Sequence, residues 1–157
     1  VLGDLNSDLV NALECLQRNP KGLARALDSW SRDGRQYYEV RALEPEYLHS
    51  TRAAARFFYL NRFCFNGVYR TNRQGRFNVP RGTQTGELPT PKAFRLASTS
   101  LSHAILCNSD FEMLIDSAED GDFVYLDPPY SRRIRREYGE YGYESFERVS
   151  LVQLKFG

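Results

Sequence analysis

Asp122-Phe123-Val124-Tyr125-Leu126-Asp127-Pro128-Pro129-Tyr130 is the stretch on which the reading of the fold turns. Phe123 to Leu126 form an unbroken apolar run of strand length, which predicts a buried strand. That strand delivers Asp127 and the two prolines to its carboxyl end, where open α/β sheets place their ligands.

Working outward, the spacing predicts a helix over 91–102, a short strand over 104–107 and a helix over 111–118 before this strand. Helices alternating with short apolar strands indicate an α/β domain with a parallel sheet. Toward the amino terminus, Leu9, Val10, Leu13 and Leu16 give an amphipathic helix over 7–18 behind an Asn6 or Ser7 cap, which Pro20 ends. Leu23, Leu27 and Trp30 repeat the helical spacing, and Asp33-Gly34 makes a break. A third helix is expected over 46–65, with Ala53-Ala54-Ala55 supplying propensity, and it stops at Asn66-Gly67. Residues 68–71 and 76–79, rich in Val, Tyr, Thr and Phe, flank Asn72-Arg73-Gln74-Gly75 and predict a β-hairpin that projects from the body. Residues 80–91 read as a loop.

The 157 residues amount to one ordinary domain, and 41% hydrophobic content suits a soluble globular protein. Cys15, Cys64 and Cys107 are widely spaced and odd in number, which argues against a disulfide framework or a zinc site and favours reduced thiols. His49 and His103 stand far from each other and from paired acids, so a metal centre or a Ser/His/Asp triad has little to build on. No signal peptide or membrane span is read at the start, and a cytosolic location is expected. The net charge of +1 hides an asymmetry. Residues 52–95 carry nine Lys/Arg against one acid, Glu87, interleaved with Phe57, Phe58, Tyr59, Phe63, Phe65, Tyr69 and Phe77. Such a block either neutralises phosphates and packs on nucleotides or is a basic face that meets the acidic remainder of the chain.

The chemistry of the Asp-Pro-Pro-Tyr motif narrows the choice. An exocyclic amine on a nucleobase is a poor nucleophile because its lone pair is delocalised into the ring. A carboxylate and a backbone carbonyl held side by side can accept its two N–H groups and localise that pair, and two successive prolines fix the backbone that presents them. Asp127 is the expected acceptor, with the Pro128 carbonyl as the second. Tyr130 is placed to stack on a base rotated out of a duplex. The alternative is a strand followed by a Pro-Pro turn, with Asp127 only capping the next segment.

These residues, together with Gly3-Asp4-Leu5-Asn6-Ser7-Asp8-Leu9, Phe58-Tyr59-Leu60-Asn61-Arg62-Phe63-Cys64-Phe65-Asn66-Gly67, Arg70-Thr71-Asn72 and Gly75-Arg76-Phe77-Asn78-Val79-Pro80-Arg81-Gly82, resemble in order the Dam-type (D12 class) DNA adenine N6-methyltransferase family. The resemblance spans nearly the whole chain, and its Leu-Asn-Arg and Phe-Asn-Val-Pro segments are more specific than the catalytic motif. It implies a partial Rossmann-like sheet dependent on S-adenosylmethionine, with an inserted helical and β-hairpin DNA-recognition region. Residues 1–35 and 95–157 would belong to the catalytic domain, and 36–94 to target recognition, with the hairpin near 67–80. By the same resemblance the catalytic residues are Asp127, Pro128, Pro129 and Tyr130. Asp4 matches the acid that binds the cofactor ribose, Asp110 and Phe111 match the pair that meets its adenine, and Asp127 also borders the cofactor. Against these stand a surface acid near a helix start for Asp4, and a helix cap with a core Phe for the pair.

Phe65, Asn66, Arg70, Asn72, Asn78 and Pro80 fall on the DNA-reading segment, and Arg70 is the choice for bidentate recognition of guanine. Arg62 is either a phosphate clamp or a member of an internal ion pair. Arg132, Arg133, Arg135 and Arg136 are either contacts to the strand near the target base or a charged loop. The partners implied are double-stranded DNA and S-adenosylmethionine, with no metal, in a bacterial or phage setting where a restriction enzyme can accompany the protein. The chain departs from the family in lacking a Gly-rich cofactor loop and in stopping at Gly157, after a helix-like stretch over 144–156. A fragment is therefore expected, with little turnover by itself, an unpaired sheet edge and poor solubility. Two other readings stay open: a DNA-binding piece without catalysis, and an amino methyltransferase acting on cytosine N4, RNA or protein glutamine.

Overall fold

Asn6 opens the helical part of the chain. In the computed structural model, which describes residues 1–83 and 85–127, its side-chain oxygen accepts the N–H groups of Asp8 (3.1 Å) and Leu9 (3.2 Å). Two donors that a helix leaves open at its start are thereby satisfied. Helix α1 follows over Ser7–Arg18 and buries Val10, Ala12 and Leu16. Pro20 ends this helix by opening the next. It sits in the first turn of α2 (Pro20–Asp28), where its missing N–H has no intrahelical partner to lose, and Asn19 caps that helix through the Gly22 N–H at 3.0 Å.

Asp33 is not a break. Its carboxylate accepts the Gln36 N–H at 2.8 Å and caps α3 (Gly34–Ala42), a helix that the apolar spacing does not announce. Hydrogen bonds from Ser31 and from the Gln36 backbone hold this carboxyl below its ordinary range. The third predicted helix is shorter than its expected span, because Pro45–Tyr47 forms a 3₁₀ turn and α4 covers Ser50–Phe63. Helix α4 packs on α1, α2 and α3. Tyr59, fully buried, meets Trp30 edge-on at 5.6 Å, Phe63 at 4.8 Å and Tyr37 at 6.4 Å. Both buried phenols keep a partner, since Tyr59 Oη donates to the Ser31 carbonyl (2.7 Å) and Tyr37 Oη to that of Val79 (3.0 Å).

After α4 the chain reverses, but the expected hairpin is reduced to a single antiparallel bridge between Thr71 and Phe77. Around it Asn72 N–H donates to Arg76 O (2.9 Å) and Asn78 N–H to Arg70 O (3.1 Å), with Gly75 at φ 75° in the turn. Tyr69, Phe77 and Val79 point inward, and the Tyr69 ring meets Phe57 at a tilt, 5.3 Å between centroids. The segment therefore lies on α4 instead of standing away from it, because its apolar residues fill a core that α4 leaves open.

Helix α5 (Pro91–Ser100), capped by Thr90, returns to α1 and α2, and its buried Phe94 meets Phe58 at 5.4 Å. Gln17 of α1 holds the exit of α5 by donating to Leu101 O (2.6 Å) and Ala104 O (2.9 Å). Strand β2 (Leu106–Asn108) then pairs in parallel with β1 (Leu2–Asp4), in the register Leu2 to Leu106, Gly3 to Cys107 and Asp4 to Asn108. Helix α6 (Phe111–Ile115) packs on β1, and a Cβ at Gly3 would collide with the end of the Leu114 side chain, so glycine lets Leu114 lie against the strand.

The expected strand over 123–126 is not formed. The described sheet has two strands, residues 122–127 pair with neither, and Phe123 is 91% exposed. A strand cannot satisfy its backbone within itself, and this apolar run has no ladder neighbour among the described residues. The described residues are thus a helical layer against a small parallel sheet, a mixed arrangement consistent with an α/β methyltransferase fold. None of their helices is long and apolar enough to cross a membrane. Pro128, Pro129, Tyr130, the arginines at 132, 133, 135 and 136, and the stretch 144–156 lie outside the described residues.

Candidate active site

Parallel pairing in register brings the carboxyl ends of β1 and β2 together, so that Asp4 and the segment 108–110 adjoin although about a hundred residues separate them. The Asn108 side-chain amide donates to the carbonyls of Asp4 (2.9 Å) and Leu5 (3.1 Å), tying the two strand tips to each other. One oxygen of the Asp4 carboxylate accepts the Asn6 N–H at 2.7 Å. Its side chain is otherwise at the surface. Asp110 caps α6 through the Glu112 N–H at 3.0 Å, and Phe111 follows half-buried. The cap expected as the bland reading of Asp110 is thus present, and it still leaves the second carboxylate oxygen for a ligand. Between these acids the Ser109 hydroxyl is buried with no hydrogen-bond partner among the described residues. Two carboxylates and an unsatisfied hydroxyl on adjoining strand tips offer the acceptors and donor that ribose hydroxyls and an adenine amine require, so these residues fit a nucleoside-bearing cofactor.

Asp127 is exposed and takes no hydrogen bond or ion pair from the described residues, so its carboxylate is available as an acceptor. Pro128, Pro129 and Tyr130, which complete the motif, lie outside the described residues.

The DNA-reading candidates are brought together. Phe65 begins a 3₁₀ turn, Phe65–Gly67, and is 53% exposed, while Asn66 adopts the left-handed region at φ 55°. The Phe65 N–H donates to the Pro80 carbonyl (2.9 Å), which joins the turn to the far end of the segment. Arg70 Nε reaches Asn78 Oδ1 at 3.4 Å. Asn72 accepts the N–H groups of Gln74 (2.9 Å) and Arg76 (3.0 Å), so its oxygen is engaged in shaping the turn. Arg62 is exposed, makes no ion pair among the described residues, and lays its guanidinium over Gly86, where a Cβ would collide with it.

The basic block does not form one surface. Arg56 is 4% exposed and donates to the carbonyls of Val40 (3.2 Å) and Arg41 (3.1 Å); burial pulls its pKa down, and the nearby Asp8 charge counters this. Arg52 lies 3.8 Å above the Trp30 ring and bonds Ser29, Arg81 donates to Arg32 O, and Arg76 pairs with Glu44 at 2.7 Å. Of the aromatics expected to pack on nucleotides, Phe57, Tyr59, Phe63, Tyr69 and Phe77 are core, and Phe65 alone among them is largely exposed. Composition counts charges and rings without assigning them to a helix face.

A cleft of about 920 Å³ separates α3 and the Pro45–Tyr47 turn from the 72–78 loop, with Asp8, Arg56, Asn72 and Asn78 among its walls. It does not include Asp4, Asp110 or Asp127. Sequence reasoning missed the Asn108 clamp, the orphan hydroxyl of Ser109, and a bond from Tyr69 Oη to Asp8 Oδ2 at 2.7 Å. No local spacing signals any of them, since each depends on a partner remote in sequence or on burial.

A family model described as D12 class N6 adenine-specific DNA methyltransferase matches residues 1–155. The chain is 32% identical to the Type II methyltransferase M1.LlaDCHI of Lactococcus lactis subsp. cremoris, over 99% of this chain and 58% of that protein. It is 31% identical to the DNA N-6-adenine-methyltransferase of Escherichia phage P1, over 98% of this chain and 22% of the relative. With the DNA adenine methylase of Serratia marcescens the identity is 31%, over 83% of this chain and 50% of the other. The chain thus spans less than two thirds of the length of these relatives.

Proposed function

From the premise that this chain belongs to the D12 class of N6 adenine-specific DNA methyltransferases, we propose that the protein methylates the N6 amine of an adenine in double-stranded DNA, with the base rotated out of the duplex. Bound S-adenosylmethionine supplies an activated methyl group for one direct displacement. Asp4 holds the ribose hydroxyls through its open carboxylate oxygen, Asp110 accepts from the cofactor's adenine amine, and Phe111 stacks on that ring. Asp127 and the Pro128 carbonyl accept the two N–H groups of the target amine, which localises its lone pair for attack, and Tyr130 stacks on the rotated base. Pro129 stiffens the backbone between them. No metal takes part in this scheme.

Phe65, Asn66, Arg70, Asn72, Asn78 and Pro80 read the DNA, and Arg62 clamps a phosphate. Residues 1–35 and 95–157 make up the catalytic part and 36–94 the recognition part, with the turn region near 67–80 entering a groove. The Type II methyltransferase names carried by relatives support a restriction–modification setting, and the reading places the protein in the cytoplasm of a bacterium or in phage infection with a restriction enzyme as companion.

The observation that carries the proposal is the adjacency of Asp4 and the 108–110 segment at the carboxyl ends of paired parallel strands. In the full-length protein, Asp127→Ala should lower transfer of labelled methyl to DNA at least about a hundredfold, the scale of removing a group that acts on the developing charge, while leaving DNA affinity nearly unchanged. Equal loss of both would contradict the role given to Asp127.

A further inference from the structure

We infer that Tyr69 and Asp8 form a positioning pair that couples occupancy of the cofactor site at the β1 tip to the seating of the DNA-reading segment. The inference rests on the function proposed above and adds to it two residues that touch neither ligand.

The pair bridges two parts of the chain that are far apart in sequence. Tyr69 Oη donates to Asp8 Oδ2 at 2.7 Å across 61 positions. On one side of this bond lies the strand tip. Asp4 Oδ1 accepts the Asn6 backbone N–H, and the buried Asn6 side chain in turn accepts the N–H groups of Asp8 and Leu9. Three residues thus run without a slack joint from the carboxylate proposed to hold the ribose to the carboxylate that receives Tyr69.

On the other side lies the segment proposed to read DNA. The Tyr69 ring is buried between Phe57 (5.3 Å) and Phe77 (5.4 Å), so its hydroxyl cannot move without its backbone. That backbone continues directly into Arg70, whose guanidinium meets Asn78. Asp8 also faces the buried Arg56 guanidinium across the cleft, which Asn72 and Asn78 line as well.

A ligand drawn to the open Asp4 oxygen pulls on the carboxylate whose other oxygen holds the Asn6 N–H, and a shift of that carboxylate is felt in the first turn of α1. The Tyr69 bond passes that response to Arg70. Because coupling between two ligands is reciprocal, DNA in place must strengthen cofactor binding by the same factor by which cofactor strengthens DNA binding. The side chain of Phe keeps both ring contacts of Tyr69 and removes only the donor, which makes Tyr69→Phe a narrow probe.

The test uses the full-length protein, S-adenosylhomocysteine as the cofactor probe, and an unmethylated duplex that the wild type methylates. Calorimetry gives the affinity for S-adenosylhomocysteine with and without saturating duplex. Wild type should show coupling of about fivefold or more, and Tyr69→Phe should reduce it to about twofold or less with each ligand's separate affinity preserved. Asp8→Ala should likewise reduce the coupling while also taking a counter-charge from Arg56, and adding Tyr69→Phe to it should lower the coupling no further, since the bond is already gone. A loss confined to structure would lower the separate affinities together and leave their ratio intact. Full coupling in Tyr69→Phe, or losses that add in the double variant, would overturn the inference. A wild type that neither methylates DNA nor binds S-adenosylhomocysteine would overturn the methyltransferase reading, and this pair's role with it.

Discussion

The helical layer and the strand region use similar residues to opposite effect. In α1 to α4 the large apolar side chains close over one another, and Tyr37, Tyr59, Leu23, Leu27, Leu60 and Val40 are all but inaccessible. Around β1, β2 and the run 122–127, Leu2, Ile105, Met113, Phe123 and Tyr125 face outward. A helix satisfies its own backbone and needs one face covered, which its neighbours in sequence supply here. A parallel strand needs at least one hydrogen-bonding neighbour and cover for its faces, and here the neighbour comes from residues far away in the chain. The two regions differ in how local their requirements are, more than in composition.

Three substitutions in the 157-residue chain would break or sharpen this contrast. Tyr59→Ala, which empties a site among three rings and leaves the Ser31 carbonyl without its donor, should cost about 3–5 kcal/mol in urea unfolding. Gly3→Ala displaces the end of the half-buried Leu114 side chain from β1 and should cost about 1 kcal/mol. Its more telling readout is amide exchange, which should accelerate in α6 and at the 108–110 tip while α4 keeps its protection. Phe123→Ser should stay within about 0.5 kcal/mol, because the ring it removes is already in water. If the last change cost as much as the first, the two regions would not be energetically distinct.

What could be read from the sequence follows the same division. Helices α1, α2, α4 and α5 show in apolar spacing or propensity, and α1 also in its cap at Asn6, because these signals are written within one or two turns. Helix α3 escapes notice because it buries only Tyr37 and Val40, and Asp33-Gly34 looks equally like a turn or a cap. The strand expected over 123–126 is absent for the converse reason, since an apolar run states a preference and supplies no partner. At the candidate site the acids Asp4, Asp110 and Asp127 are legible as motif residues. Their neighbours Asn108 and Ser109 are not, because the amide clamp and the orphan hydroxyl exist only once β1 and β2 have met. The basic block misleads in another way: Arg56 carries the same charge as Arg70, yet its position on α4 turns it into the core.

The contact between Asn108 and Asp4 spans 104 positions of sequence. Everything from α1 to α5 is therefore an excursion hung between two neighbouring strands. Closing so long a loop is entropically costly until the intervening chain has become compact, so the order of events is set: the helices condense first and the strand tips meet last. During synthesis, β1 emerges well before β2 and cannot pair with it until the helices between them have been made. The paired strand tips, with the Asn108 clamp, are then the last part of the described chain to acquire their shape.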